Sequence, residues 1–181
     1  MMHTKRRIAI QGVSGAYHEI AARQFFSGDD VEIIPCITFR EIFDLINADD
    51  SVLGIVAIEN TIAGSLLQNY NLLRESKCKV VGEHKLRISH TLCALPGQKI
   101  EDIKEVHSHP IALRQCEDFL GQHHYIKVIE SDDTALSAQE IAEQQIQGRA
   151  AICSKFAAEK YGLEILAEEI ETNKRNFTRF L

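Results

Sequence analysis

Strand-like and helix-like segments alternate along the whole chain of 181 residues, and this alternation limits the folds open to it. Residues 7–11 show the pattern of a strand, and residues 16–26 show that of an amphipathic helix. Thr38 and Glu41 form a capping-box pattern at the start of a second helix. Residues 52–58 are almost continuously apolar, which indicates a parallel strand covered on both faces. The alternation predicts an α/β fold with a mostly parallel sheet.

The second half of the chain repeats this alternation. Pro110 is placed to open one helix and Gly162 to end another. The predicted strands are residues 79–87, 89–94, 105–108, 125–130 and 150–153, and the predicted helices are residues 110–121, 133–147 and 154–161. In such folds ligands bind where the carboxyl ends of strands meet helix N-termini, so polar residues at strand ends are candidate functional groups.

Charge and composition exclude several classes of protein. The chain has 20 Lys and Arg against 26 Asp and Glu, a net charge of −6, which argues against a general nucleic-acid binder. No apolar run approaches the roughly 20 residues of a membrane span. Only Ile8–Ile10 follows the basic N-terminus, which is too short for a signal peptide, so we expect a cytosolic protein with no membrane association. The five cysteines are odd in number and scattered, which favours reduced thiols, and no spacing suits a metal.

The first polar segment at a strand end is Gln11–His18, which contains Gly12 and Gly15. Two glycines between a strand and a helix allow a tight turn and present backbone N–H groups at the positive end of the helix. The pattern is neither G-x-G-x-x-G nor a P-loop. It fits either a plain strand-to-helix turn or a small anion site.

The second segment follows the apolar run at residues 52–58, where Glu59, Asn60 and Thr61 stand in succession. A charge directly at the end of an apolar strand favours side chains that face a cleft. The alternative is that Asn60 and Thr61 only hydrogen-bond the loop backbone while Glu59 lies in solvent.

The third segment is His107–Cys116, in which Ser108 or His109 can cap the helix that Pro110 opens. Gln115 lies about a turn and a half further along that helix. Cys116 suits a small core residue as well as a reactive one.

The fourth segment is Asn176–Leu181, which holds Arg179 between two phenylalanines. An ordinary strand arginine is the simplest interpretation. The neighbouring asparagine and threonine also suit a hydroxyl and guanidinium pair aimed at a ligand, because arginine binds carboxylates in a bidentate manner.

Together and in this order, these segments resemble the prephenate dehydratase family over about the whole chain. The matching motifs are Gly12–His18, Ile58–Gly64, Ser108–Cys116, Asp133–Ala135 and Asn176–Phe180. The chain departs from the family pattern at four positions, namely Val13, His18, Ile111 and Asp133. For this reason Gln115 is carried over in the third motif and Thr134 in the fourth.

The resemblance implies conversion of prephenate, a small dianion, to phenylpyruvate, CO2 and water in phenylalanine biosynthesis. The implied catalytic residues are Thr178, Glu59, Asn60 and Gln115. The implied substrate-binding residues are Arg179, Ser14, Gly15, Ala16, Thr134, Thr61 and Phe180. Thr178 is the central group at the leaving hydroxyl, and Glu59 is a possible proton donor. No cofactor or metal is implied. An arogenate dehydratase and a non-catalytic module that binds small anions remain alternatives.

The resemblance also implies two α/β lobes around a cleft that holds the active site, similar to type II periplasmic binding proteins. The expected first lobe is residues 1–86 with 171–181, and the second is residues 87–170. The family commonly forms dimers or tetramers. Its catalytic region is typically followed by a phenylalanine-binding ACT domain, and a chain of 181 residues is expected to lack that domain and to escape inhibition by phenylalanine.

Overall fold

The computed structural model describes residues 5–181, so the first four residues of the basic N-terminal segment lie outside the described part. Two compact units are formed. The first runs to Arg87 and is completed by Asn176–Leu181, and the second is Ile88–Arg175. Among the described residues, no helix has the length and apolar character needed to cross a membrane.

Strands and helices alternate through both units. The strands are β1 (Lys5–Gln11), β2 (Asp30–Cys36), β3 (Val52–Ile55), β4 (Ala57–Asn60), β5 (Gly64–Ser65), β6 (His84–Arg87), β7 (Thr91–Ala94), β8 (Glu105–Ser108), β9 (Lys127–Glu130), β10 (Arg149–Cys153), β11 (Glu164–Ala167) and β12 (Phe177–Phe180). The helices are α1 (Tyr17–Phe25), α2 (Phe39–Ala48), α3 (Leu67–Glu75), α4 (Pro110–Gln115), α5 (Glu117–Gln122), α6 (Thr134–Gln144) and α7 (Lys155–Lys160), with a short 3₁₀ turn at Ile100–Asp102. The predicted α/β class is confirmed.

The first unit contains two sheets. One has the order β2-β1-β3 and is parallel throughout, with Ile8 of β1 beside Ile33 and Leu53. The other has the order β5-β4-β12-β6 and is antiparallel throughout. Helices α2 and α3 cover a core of buried apolar side chains, which are Ala9, Cys36, Ile42, Phe43, Val52, Val56, Ile58 and Leu72.

The apolar run at residues 52–58 is divided between these two sheets, and the prediction of one parallel strand was wrong. The division falls at Val56, whose N–H donates to the Leu181 carbonyl and whose carbonyl accepts from the Leu181 N–H, both at 2.9 Å. β3 therefore pairs in parallel with β1, whereas β4 pairs antiparallel with β12. Within the first unit, the prediction of a mostly parallel sheet is right for the β2-β1-β3 sheet. It is wrong for the β5-β4-β12-β6 sheet, where β12 comes from a distant part of the chain and pairs antiparallel with both neighbours.

The second unit is built on one mixed sheet of order β11-β7-β10-β8-β9. β8 pairs in parallel with β9 and β10, whereas β7 runs antiparallel to β10 and β11. The helix predicted at residues 110–121 is divided at Cys116, which is fully buried. The core of this unit comprises Leu92, Ala94, Ile103, Val106, Ala112, Leu113, Cys116, Ile126, Ala150, Ile152 and Ile170.

Helix ends follow their capping signals in most places. Thr38 accepts the N–H of Glu41 at 3.3 Å, as predicted. The Glu41 carboxylate, however, accepts the N–H of Ile37 at 2.8 Å, one residue earlier than in a capping box. Gly162 follows α7 with a φ of +66°, a left-handed conformation that glycine adopts without strain.

Candidate active site

Asn60 and Thr178 come from motifs 118 residues apart and meet across the β4–β12 pair. They stand directly opposite each other in the antiparallel register. The Asn60 Nδ2 donates to Thr178 Oγ1 at 2.9 Å, and the two residues are only 9 % and 8 % exposed. Two residues that the sequence assigned to catalysis are thus in contact at a largely buried position.

The orientation of the Asn60 carboxamide is fixed by the backbone that follows it. Its Oδ1 accepts the N–H groups of Ile62 at 2.9 Å and Ala63 at 2.8 Å. An amide oxygen can only accept and an amide nitrogen can only donate, so these bonds decide which end of the side chain faces Thr178. The donor end also reaches Asn176 Oδ1 at 2.8 Å and the Phe177 carbonyl at 3.2 Å.

This orientation determines how the Thr178 hydroxyl is used. Because Asn60 Nδ2 has no lone pair to offer, Thr178 Oγ1 accepts in this bond and keeps its own proton for another partner. Among residues 5–181 no hydrogen bond donated by this hydroxyl is found. The arrangement presents Thr178 as a donor toward a bound molecule.

Thr61 holds the start of β12 rather than a ligand in this structure. Its N–H donates to the Phe177 carbonyl at 2.9 Å, and its Oγ1 accepts the Phe177 N–H at 2.9 Å. The alternative for this segment, that its polar side chains bond backbone, therefore describes the bond made by Thr61 Oγ1. Thr61 fixes the strand that carries Thr178.

Glu59 and Arg179 lie on the other face of the same sheet. Successive residues of a strand point to opposite faces, so the residues next to Asn60 and Thr178 point away from them. Arg179 stands opposite Glu59 with Nη1 3.9 Å from its Oε2, and both side chains are about half exposed. Strand alternation thus separates Glu59 and Arg179 from Asn60 and Thr178 in this structure, and a shared site stays a prediction.

Arg179 already has a carboxylate partner on that face. Glu83 accepts from Arg179 Nε at 2.7 Å and from Nη2 at 2.5 Å. The guanidinium binds a carboxylate, as the sequence suggested, but that carboxylate belongs to the chain itself.

Phe180 belongs to the core of the first unit. It is 1 % exposed and packs edge-on against His18, with ring centroids 5.0 Å apart. His18 Nε2 accepts the Ala57 N–H at 3.4 Å, and burial lowers the pKa of His18 to about 4. Phe180 also lines an apolar pocket of about 100 Å³ in this unit, whose largely hydrocarbon lining does not suit a dianion. The prediction of a direct substrate contact by Phe180 is not supported by this burial.

The glycine-rich turn binds a carboxylate, and this carboxylate is that of Glu19. Glu19 Oε2 accepts the Gly15 N–H at 2.7 Å and the Ser14 hydroxyl at 2.9 Å, and its side chain is fully buried. The Ala16 N–H donates to the Val13 carbonyl at 3.1 Å. In this structure internal acceptors occupy these groups, and their use for a substrate carboxylate stays a prediction.

Gln115 is held in the second unit by a buried histidine. His90 Nε2 lies 2.8 Å from Gln115 Oε1, and because an amide oxygen only accepts, the histidine is the donor. The His90 N–H in turn donates to Glu171 Oε2 at 2.9 Å. Burial lowers the pKa of His90, although its bond to Gln115 and the charge of Glu171 oppose this. The Gln115 amide therefore turns its NH2 group away from His90.

The other motif residues of the second unit lie at helix starts. Asp133 caps α6 by accepting the Leu136 N–H at 2.9 Å, and burial raises the pKa of Asp133. Thr134 is the first residue of that helix and is partly exposed. His109 caps α4 through Nδ1, as predicted, whereas the Ser108 hydroxyl donates to the Ile152 carbonyl at 2.6 Å.

Within residues 5–181, no three His, Cys, Asp or Glu side chains are grouped as a metal site requires.

Comparison with known proteins decides the family. The family model described as prephenate dehydratase matches residues 8–181. The chain belongs to the prephenate dehydratase family. A relative from Petunia hybrida, arogenate dehydratase 2, is 42% identical over 98% of this chain and 44% of its own length. The arogenate dehydratase/prephenate dehydratase 2 of Arabidopsis thaliana, a chloroplastic protein, is 40% identical over 97% of this chain and 45% of its own length.

A solved prephenate dehydratase supports the same assignment at the level of structure. The enzyme from Arthrobacter aurescens, determined in complex with L-Phe, is 28% identical and superposes with a TM-score of 0.87 over 96% of this chain and 58% of that one. The chain thus spans less than half the length of the two plant relatives and somewhat more than half of this bacterial structure.

Several partners of the prephenate dehydratase motifs were missed in the sequence. Asn176 stands inside a family motif, yet only the structure shows its side chain on Asn60. Glu19 lies four residues after Gly15, and this helical spacing is enough to predict that its carboxylate can reach the turn. His90, Glu171 and Glu83 lie 25 to 96 residues from the groups they bind or support, and no local pattern connects them.

Proposed function

We propose that this member of the prephenate dehydratase family converts prephenate to phenylpyruvate, CO2 and water, a carbon–oxygen lyase reaction that leads to phenylalanine. The observation that carries the proposal is the Asn60–Thr178 hydrogen bond, in which Thr178 Oγ1 accepts, so that the bond does not use the threonine's own proton. This is the group that the family resemblance places at the leaving hydroxyl.

The reaction sets the requirements for such a site. The bond from the ring to its carboxylate breaks and gives CO2, and its electron pair moves into the ring. The ring carbon–hydroxyl bond then breaks, and the hydroxyl takes one proton and leaves as water. Aromatisation supplies the driving force, so the protein has to orient the dianion and stabilise charge as it develops on the leaving oxygen.

Thr178 meets the second requirement as a hydrogen-bond donor. Its hydroxyl is too weak an acid to give up the proton fully at neutral pH, so the proton that completes the water comes from a stronger acid or from solvent. A fixed donor aimed at developing charge is worth several kcal/mol, about 10²–10³ in kcat. Asn60 donates to the threonine oxygen, and this bond restricts the directions open to the hydroxyl proton.

The substrate carboxylates need contacts besides Thr178. Gln115, whose NH2 group turns away from His90, and the Thr134 hydroxyl are retained as candidate contacts on the strength of the motifs. Arg179 is retained only if a substrate carboxylate displaces Glu83 from its guanidinium.

Arogenate is the second candidate substrate, and the names of the plant relatives favour it. It carries an amino group where prephenate has a keto group. Parallel assays should follow phenylpyruvate by absorbance and phenylalanine by chromatography, each over a range of concentrations. The larger kcat/KM identifies the substrate, and absence of turnover with both compounds contradicts the proposal.

The non-catalytic alternative is tested by the same preparation. Calorimetry that shows prephenate bound, together with chromatography that shows it unconsumed, supports a binding module.

We also retain a cytosolic location and a dimer or tetramer as part of this proposal. Fractionation and light scattering on the eluting protein test these two points.

A further inference from the structure

We propose that Asn176 is a positioning residue for the dehydration, a role that rests on the proposed function. By accepting one hydrogen of the Asn60 amide, it keeps the other hydrogen on Thr178 and so keeps the threonine proton directed at the substrate.

Asn176 is placed for this role by burial and by sequence. Its side chain is fully buried, and it stands immediately before β12, two residues from Thr178. Its Oδ1 lies 2.8 Å from Asn60 Nδ2, the shortest of the three contacts made by that nitrogen. Burial of an amide side chain costs free energy unless its polar atoms are hydrogen-bonded, so the bond to Asn60 offsets part of the cost of burying Asn176.

The Asn60 amide has more acceptors in range than it has hydrogens. Asn60 Nδ2 carries two hydrogens and has three acceptors in range: Asn176 Oδ1 at 2.8 Å, Thr178 Oγ1 at 2.9 Å and the Phe177 carbonyl at 3.2 Å. The Phe177 carbonyl already accepts the Thr61 N–H at 2.9 Å. The two side-chain oxygens therefore take one hydrogen each, and the carbonyl makes the weakest contact.

Removal of the Asn176 acceptor changes this distribution. One hydrogen of the Asn60 amide then has the Phe177 carbonyl as its remaining acceptor, and the amide can make the small rotation toward it that the two bonds to its Oδ1 allow. Such a rotation lengthens the bond to Thr178 and frees the threonine hydroxyl to turn. The expected loss is in kcat, because the direction of the donor matters at the transition state, while substrate binding is little changed.

The first test compares Asn176→Leu with Asn69→Leu. Asn69 is a matched control because it is also a buried asparagine of the first unit, and its side chain donates to the Ala57 carbonyl at 2.7 Å and makes no hydrogen bond to Asn60 or Thr178. We expect N176L to lose at least about tenfold in kcat with KM changed by less than about twofold. N69L should lower Tm but keep kcat near the wild-type value. Equal losses of kcat in the two variants would overturn the proposal.

A second variant keeps the acceptor and covers the case in which N176L does not fold. Asn176→Asp retains an oxygen toward Asn60, and its charged and protonated forms differ as acceptors. We expect its kcat to show a new ionisation that is absent from the wild type and from Asn69→Asp. A purely structural role predicts the wild-type pH profile of kcat in N176D, and that result overturns the proposal.

The assays distinguish failure of the proposed function from failure of the role of Asn176. If the 181-residue wild-type chain turns over neither prephenate nor arogenate, the proposed function is wrong, and the role of Asn176 is wrong with it. If the wild type is active and folded N176L has the wild-type kcat, only the role of Asn176 is wrong.

Discussion

Replacing Thr178 by valine removes one hydroxyl at nearly constant shape and tests the proposed mechanism directly. Thr178 Oγ1 accepts from Asn60 Nδ2 at 2.9 Å, and the residue is 8 % exposed. The substitution therefore has two separable effects. It takes a donor from the substrate, which appears in kcat, and it takes an acceptor from a buried amide, which appears in stability.

The catalytic effect is the larger of the two. Loss of one fixed donor at a developing negative charge lowers kcat by about 10²–10³, or about 2.7–4 kcal/mol. A buried donor left without its acceptor costs about 1–3 kcal/mol of folding free energy. The lower end is expected here, because Asn60 keeps Asn176 at 2.8 Å and the Phe177 carbonyl at 3.2 Å. For a chain of this size that corresponds to a fall in Tm of about 2–4 °C.

The assay is the initial rate of phenylpyruvate formation from prephenate, followed by absorbance at a temperature where thermal unfolding shows both proteins folded. Thr178→Ser is the control, since it keeps the hydroxyl, and it should retain kcat within about tenfold of the wild type. A folded T178V with kcat within about twofold of the wild type refutes the assignment of Thr178 as the donor to the leaving group.

Three further substitutions test the remaining assignments. Arg179→Lys loses the paired bonds to Glu83. Because Arg179 lies on the face opposite Thr178, the substitution should leave KM within about twofold of the wild type. A tenfold rise in KM would show that Arg179 binds the substrate. Glu19→Leu leaves buried donors without their acceptor and should lower the free energy of unfolding by about 3 kcal/mol in denaturant titrations, and an unchanged value contradicts this role. The pKa of His18 is lowered from 6.5 to about 4 in the folded protein, so its stabilisation is complete above pH 6.5 and falls as the pH decreases toward 4. The loss approaches about 3 kcal/mol, and His18→Gln should lack this part of the pH dependence.

The order of strands and helices was predictable because each element carries its own local pattern. The pairing of strands was not, because β4 and β12 are separated by more than a hundred residues and no local signal names their partner. The apolar run at residues 52–58 shows the limit most clearly. Its composition indicates burial on both faces, and that is equally true of one long strand and of two short strands in different sheets.

For the candidate site, the motifs pointed to the Asn60 and Thr178 pair but not to the geometry around it. Motif resemblance brought forward Asn60 and Thr178, and the structure shows them in contact. The same motifs contain Glu59 and Arg179, and a motif does not state which side of a strand each residue faces. Strand periodicity alone would have separated the neighbours, since residues at successive positions of a strand point to opposite faces.

The two carboxamides singled out by the motifs share one physical arrangement. Asn60 has its oxygen held by two backbone N–H groups, and Gln115 has its oxygen held by His90 Nε2. Once the oxygen of an amide is occupied, the group acts toward its remaining neighbours only as a donor. A reaction that handles a dianion and a departing hydroxyl needs donors held in fixed directions, and an acceptor facing that charge would oppose it. In the proposed reaction, Asn60 and Gln115 suit these positions because a carboxamide whose oxygen is already hydrogen-bonded offers only N–H donors to the developing charge.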